Sequence, residues 1–130
     1  MILTAAAMCL ATNIFFEARG EDLMGKLAIA EVTMNRVESN KYPDTVCEVV
    51  WQRKQFSWTD DGKHDDPSRY KSKIDKAAWR DSQVMAYMVI SGELPLASTG
   101  VTMYHAEYVK PYWSAHYEYS GQIGKHMFYK

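Results

Sequence analysis

The amino-acid sequence predicts a helix-dominated α+β fold with a small, irregular β region. Apolar residues recur at spacings of three and four in two stretches near the start of the chain and again between residues 72 and 91. After Pro95 this periodicity is lost, and residues 100–105 and 126–129 have the character of short extended segments. With 130 residues the chain can bury one core but not two, so we expect a single domain spanning residues 1–130.

Two adjoining helices are predicted at the start of the chain. Thr4 can cap the first helix, and Gly20 suits the left-handed position after its last turn. Asp22 can cap the second helix. The predicted core faces are Leu3, Ala7, Leu10, Ile14 and Ala18 in the first helix, and Leu23, Leu27, Ala30, Met34 and Val37 in the second.

Two further helices are predicted on either side of a long loop. Thr45-x-x-Glu48 has the pattern of a capping box that opens a short helix. Residues 52–70 are polar and aperiodic, and a loop of this length in a small domain is usually functional or mobile. A longer helix runs from about Ser72 to Ser91 and ends at Gly92. Its predicted core face is Ile74, Ala77, Ala78, Met85, Met88 and Val89.

The composition limits the classes of ligand and partner. Lys and Arg total 15 against 16 Asp and Glu, which argues against nucleic acid as a partner. The apolar start has no basic region before it and is too short to span a bilayer, so neither an export signal nor membrane insertion is predicted. Cys9 and Cys47 lie in apolar helical patterns, which favours two buried thiols over a disulfide. We expect a monomer without metal or cofactor. The 13% aromatic content is compatible with a carbohydrate ligand.

Glu17 is the main candidate for a catalytic residue. It follows Phe15 and Phe16 at the end of an apolar helix, just before Gly20. Desolvation in such a setting raises a carboxyl pKa and makes the group a proton donor near neutral pH. The sequence therefore favours Glu17 as a general acid; the alternative is an exposed glutamate that only ends a helix.

Several ordered motifs identify a resemblance to the SleB-type cell-wall hydrolases, which include spore-cortex lytic enzymes and phage endolysins. The matching segments are residues 17–21 (EARGE), 28–30 (AIA), 35–37 (NRV), 42–46 (YPDTV), 55–58 (QFSW) and 123–129 (IGKHMFY). The resemblance implies a lysozyme-like fold and cleavage of peptidoglycan between N-acetylmuramic acid and N-acetylglucosamine, with Glu17 as the family's catalytic glutamate. Residues 104–106 (YHA) differ from the aromatic-Asn-Pro segment of some members.

The residues favour a lytic transglycosylase over a hydrolytic muramidase. Ordinary glycosidases need two carboxylates, and the sequence offers no clear second one beside Glu17. The C6 hydroxyl of muramic acid can attack its own anomeric carbon, so Glu17 can serve as acid and then as base. One ordered water would turn the same site into a muramidase.

Other residues are candidates for supporting or substrate-binding roles. We expect Glu21 to favour the N-terminus of the second helix rather than to act in catalysis, and Glu31 to pair with a cation rather than to point toward the cleft. Arg19 is expected to face one of these two glutamates. For His105, Trp113 and His126, structural roles are about as plausible as sugar contacts. The predicted substrate-binding residues are Gln55, Ser57, Trp58, Tyr104, His105, Trp113 and His126.

Two rival functions are weighed against glycan cleavage. A zinc amidase could use His105, His116 and His126, but the chain has no His-Glu-x-x-His motif to support it. A wall-binding module without turnover is the second rival. The favoured setting is a phage endolysin, made in the host cytoplasm without a signal peptide, that reaches peptidoglycan after the membrane is permeabilised.

Overall fold

A computed structural model of the chain describes residues 2–52, 56–97 and 99–130. Within these ranges lie four α-helices: α1 (Ala5–Ala18), α2 (Leu23–Glu38), α3 (Val46–Val50) and α4 (Lys73–Ser91). Strands β1 (Met103–Ala106), β2 (Tyr119–Ile123) and β3 (His126–Tyr129) form an antiparallel sheet in the order β1-β3-β2. Short 3₁₀ turns occupy Ser57–Asp60, Pro67–Arg69 and Tyr112–His116. The helix-dominated α+β class predicted from the sequence is confirmed.

The helices begin where local capping chemistry predicts. The side chain of each expected N-cap accepts a hydrogen bond from the backbone N–H three residues later, at Thr4, Asp22 and Thr45. Ser72, near the predicted start of the long helix, caps α4 in the same way. Gly92 ends α4 with a φ of 84°, as predicted. The prediction for Gly20 is wrong, because its φ is not positive. Arg19 caps α1 in the right-handed conformation, and the Glu21 N–H closes the turn on the Ala18 carbonyl at 2.9 Å.

Helix α1 forms the centre of the core and contacts α2, α3 and α4. Leu10, Ile14 and Phe15 on α1 are completely buried. Of the residues predicted to face the core, those that are exposed lie near the starts of helices. Ile74 in α4 is 80% exposed and Leu23 in α2 is 70% exposed, because the first turns of these helices lie beyond the edge of the core.

A disulfide joins α1 to α3. Cys9 and Cys47 are bonded, with their Cα atoms 5.3 Å apart. The prediction of two free buried thiols is therefore wrong. The sequence pattern places each cysteine on a helix, but it does not reveal that α1 and α3 pack side by side and bring the two positions together.

The sheet packs one face against α1 and α2. Tyr104 on β1 pairs with Phe128 on β3, and Phe128 packs against Ala28, Ile29 and Val32. His105, the next residue on β1, points to the opposite face because side chains alternate along a strand. This alternation decides which residues of β1 can reach α1.

No helix among the described residues is long and apolar enough to cross a membrane.

Candidate active site

Glu17 lies in the last turn of α1, where that helix meets the sheet. Its side chain accepts a hydrogen bond from the hydroxyl of Tyr104 on β1. Burial raises the pKa of Glu17 above its usual value, while the Tyr104 hydrogen bond and the nearby charge of Arg36 oppose this shift. Since burial is the largest effect, the carboxyl group favours its protonated form more than a carboxyl in water does.

Tyr104 is held firmly beside Glu17. Its ring stacks on Phe128 with centroids 5.7 Å apart, and its edge meets the ring of His126 at 5.3 Å. Burial and the neighbouring Glu17 raise the pKa of Tyr104 well above its usual value, so the phenol keeps its proton. The hydroxyl donates to Oε1 of Glu17, so Oε2 does not share this hydrogen bond.

Asn35 and Arg36 on α2 fix the chain segment that leads into β1. The Nε of Arg36 donates to the Thr102 carbonyl at 2.7 Å, and the Nδ2 of Asn35 donates to the Val101 carbonyl at 2.9 Å. Arg36 is only 3% exposed. These bonds set the position of Tyr104, two residues further along. Sequence reasoning assigned neither residue a role, although the resemblance had marked the motif that contains them.

Glu21 bridges the start of α2 to the turn between β2 and β3. Its carboxylate lies 3.1 Å from the Nδ1 of His126 and accepts the Lys125 N–H at 3.2 Å. Gly124 makes room for it, since a Cβ there would lie 2.5 Å from the Glu21 carboxylate. Glu21 was predicted as a charge for the helix N-terminus. Asp22 caps α2, as predicted, and the Glu21 carboxylate contacts the turn between β2 and β3.

Glu17, Glu21 and His126 line one open cavity of about 220 Å³. One wall comes from the α1–α2 junction and the other from β1 and the β2–β3 turn; its residues are Glu17, Ala18, Gly20, Glu21, Ala106, Tyr108, Lys125 and His126. A larger groove of about 580 Å³ between α2 and β2 is not lined by Glu17. Because the chemistry lies with the perturbed carboxyl group, we take the smaller cavity as the candidate active site.

Residues 20–129 match the model of the Cell Wall Hydrolase family. The chain belongs to this family. Glu17 lies just before the matched segment, and the motif resemblance to SleB-type enzymes is confirmed.

Relatives and solved structures extend this assignment. A stretch of 53 residues is 38% identical to a spore cortex-lytic enzyme of Bacillus cereus and 40% identical to one of Oceanobacillus iheyensis. It covers 41% of this chain but only about a fifth, 20% and 19%, of those relatives.

The full fold matches two solved catalytic domains. One belongs to SleB of Bacillus anthracis, a germination-specific lytic transglycosylase, and has a TM-score of 0.67 at 26% identity, covering 99% of this chain and 97% of that chain. The other, from Bacillus cereus SleB, has a TM-score of 0.63 at 26% identity, with coverage of 99% and 93%. The predicted lysozyme-like fold is thereby confirmed.

His105 and Trp113, two predicted sugar contacts of this cell wall hydrolase, pack on the face of the sheet opposite Glu17. The Nε2 of His105 is 2.8 Å from the Tyr129 hydroxyl, and the two rings stack. Trp113 packs edge-on against both rings, at 5.6 and 5.4 Å. Since Tyr104 faces Glu17, its neighbour His105 cannot do so. The structure favours the structural alternative for His105 and Trp113.

Of the three residues predicted to form a sugar wall in the long loop, the structure describes the side chain of Trp58. Trp58 is 5% exposed and stacks on Phe16 with centroids 4.8 Å apart, so it belongs to the core rather than to an open wall. Gln55 and the side chain of Ser57 lie outside the described residues. Of the seven predicted binding residues, Tyr104 and His126 are the two that the described structure brings close to Glu17.

The predicted partners of Arg19 and Glu31 are also wrong. The Nε of Arg19 lies 3.7 Å from Asp75 on α4, and its guanidinium covers the ring of Tyr70. Glu31 accepts the Thr99 hydroxyl at 2.6 Å and lines the larger groove. Both outcomes depend on packing between distant segments, which sequence spacing does not report.

The three histidines of the zinc hypothesis have separate partners. His105 contacts Tyr129, His126 contacts Glu21, and His116 packs against the ring of Tyr112. In the described ranges of the chain, no group of three His, Cys, Asp or Glu side chains is placed to hold a metal ion. This geometry gives the zinc amidase no support.

Proposed function

We propose that this chain cleaves the glycan strand of peptidoglycan between N-acetylmuramic acid and N-acetylglucosamine, as a lytic transglycosylase. The observation that carries the proposal is a half-buried carboxyl group of raised pKa, Glu17, which is held by Tyr104 and lines an open cavity. Its location in a fold similar to the SleB catalytic domain supports the same reaction class.

The proposed reaction uses Glu17 twice. Protonated Oε2 gives its proton to the glycosidic oxygen as the bond from that oxygen to the muramic C1 breaks. The C6 hydroxyl of the same muramic residue then bonds to C1, and its proton passes to the Glu17 carboxylate. The products are a 1,6-anhydromuramic end and a free hydroxyl on N-acetylglucosamine, and Glu17 is again protonated.

The surroundings of Glu17 favour this route over hydrolysis. Glu17 and Glu21 are the carboxylates among the described residues that line the cavity. Glu21 is engaged by His126 and by the Lys125 N–H, which opposes a role as free base or nucleophile. An internal hydroxyl needs no second carboxylate, since it is already tethered to the reacting sugar. Hydrolysis at the same site, as in a muramidase, is the alternative.

Mass spectrometry of muropeptides after digestion of purified sacculi tests the proposal. Anhydro products are lighter than hydrolytic ones by the mass of one water, so their presence supports the transglycosylase. Reducing muramic ends would establish the muramidase, and cuts only in the peptide stem would refute both. Glu17→Gln is expected to lower the rate by roughly 10²- to 10⁴-fold. Glu31→Gln is the matched control, because Glu31 lines the other groove.

For the biological setting we propose lysis of a host cell by a phage-encoded enzyme that is made in the cytoplasm and acts on the wall. The curated relatives favour a second candidate, because they are named spore cortex-lytic enzymes. Digestion rates on sacculi from growing cells and on isolated spore cortex discriminate between the two. Faster release from growing-cell sacculi supports host lysis, and faster release from cortex refutes it.

A further inference from the structure

An exposed tyrosine stands at the rim of the candidate active site. Tyr108 lines the cavity that contains Glu17, yet 86% of its surface is exposed. Among the described residues, no aromatic ring packs against it, whereas Tyr104 and Tyr129 each contact other rings. The ring of Tyr108 therefore adds little to the core, and its position beside Glu17 calls for another explanation.

The backbone that carries Tyr108 is held in place. The Val109 N–H closes a turn on the Ala106 carbonyl at 3.1 Å, and the Glu107 N–H donates to the Lys125 carbonyl at 2.8 Å. The side chain of Glu107 also accepts a hydrogen bond from Gln122 at 2.7 Å. Tyr108 thus presents a free ring from an anchored turn that continues directly from β1, the strand that carries Tyr104.

We infer that Tyr108 is a stacking platform for a sugar ring of the glycan strand next to the bond that is cleaved. The cavity of about 220 Å³ is smaller than the roughly 300–1,000 Å³ of typical small-molecule sites, so it encloses little of a polysaccharide. A polymer in this cleft needs contacts at the rim. The face of a phenol ring is electron-rich and apolar, which suits the C–H bonds on the flat face of a pyranose.

The inference rests on the proposed function and identifies a residue that binds the substrate without taking part in proton transfer. Tyr112 provides a matched control, because it is also a tyrosine, is 85% exposed, and follows shortly after Tyr108 but does not line the cavity. Any general effect of removing an exposed tyrosine ring should appear equally in both variants.

The test compares Tyr108→Ala, Tyr108→Phe and Tyr112→Ala in the full chain. On purified sacculi, Tyr108→Ala is expected to raise the apparent KM about tenfold with a smaller change in kcat, which is about 1.4 kcal/mol of lost binding. Tyr108→Phe keeps the ring and should recover most of the binding, while Tyr112→Ala should match the wild type. Equal KM values for the two alanine variants would overturn the inference, as would a phenylalanine variant as weak as the alanine one.

A binding measurement separates this inference from the proposed reaction. Sedimentation with sacculi, performed in the Glu17→Gln background, measures affinity without turnover. Weaker sedimentation of the Tyr108→Ala double variant supports the platform even if the products prove to be hydrolytic. Unchanged sedimentation, together with normal wild-type glycan cleavage, refutes the platform and leaves the proposed function intact.

Discussion

Breaking the Cys9–Cys47 disulfide should destabilise the fold strongly. The bond joins α1 to α3 across 38 residues of sequence. In the chain-entropy model, a crosslink that closes a loop of this length lowers the entropy of the unfolded chain enough to stabilise the folded state by about 4 kcal/mol at 25 °C. For a domain of this size, a loss of that order lowers the melting temperature by roughly 10–20 °C.

Thermal melts of the wild type with and without reductant, beside Cys9→Ser/Cys47→Ser, measure this effect. The reduced wild type and the double variant should melt at similar temperatures, both well below the oxidised protein. The double variant should not respond to reductant, which controls for other effects of the reagent. Glu17 lies about two helical turns beyond Cys9 on α1, so activity at 25 °C should fall much less than stability does.

Two results would refute this reasoning. Alkylation of the unfolded, unreduced protein that adds two labels would mean that the thiols are free and that the crosslink does not form. Alternatively, melting temperatures that agree within about 2 °C before and after reduction would mean that the crosslink does not constrain the unfolded chain as assumed.

Three further outcomes follow from the site. In Tyr104→Phe the Glu17 carboxylate loses a hydrogen-bond donor, so the pKa of Glu17 should rise further. The high-pH limb of the rate profile, where the acid loses its proton, should therefore shift to higher pH. A limb that does not shift contradicts this. Because the folded-state pKa of Glu17 is raised, ionisation of Glu17 destabilises the fold as pH rises. Glu17→Gln should therefore raise the melting temperature more at about pH 8 than at about pH 4. The reverse order would contradict this prediction. Gly124 has a φ of +57°, and a Cβ there would lie against Glu21, whereas Gly62 has a φ of +74° and a Cβ there would meet open space. In urea unfolding, Gly124→Ala should therefore lose about 1–3 kcal/mol more folding free energy than Gly62→Ala. Equal losses would show that the Glu21 side chain can move aside at little cost.

Local features of the fold could be predicted from sequence because their causes are local. A capping side chain such as Thr4 or Asp22 binds a backbone N–H three residues away, so sequence spacing contains the whole interaction. The same is true of Gly92, where a positive φ follows from the end of a helix. Strand β2 was not anticipated, since its residues are mostly exposed and carry no alternating apolar pattern.

The candidate site could be predicted only in part. Glu17 was found because its burial is indicated by neighbours in sequence, and Tyr104 and His126 were among the candidates. The partners that the structure gives to Glu21 and Arg19 could not be predicted from the sequence. Glu21 binds a turn 104 residues away, and Arg19 meets Asp75 on another helix. Such contacts depend on how whole elements pack, and no spacing rule encodes them.

The opposing influences on Glu17 fit the two roles proposed for it. Burial stabilises the neutral acid, whereas the Tyr104 hydroxyl and the Arg36 charge stabilise the carboxylate. A purely apolar pocket would give a group that holds its proton at neutral pH but becomes very costly to ionise once that proton is donated. An exposed carboxyl group would already be ionised before the substrate arrives. Because β1 supplies the hydroxyl and α2 the positive charge that offset burial, the carboxylate is less costly to form than in a purely apolar pocket, as a group that acts first as acid and then as base requires.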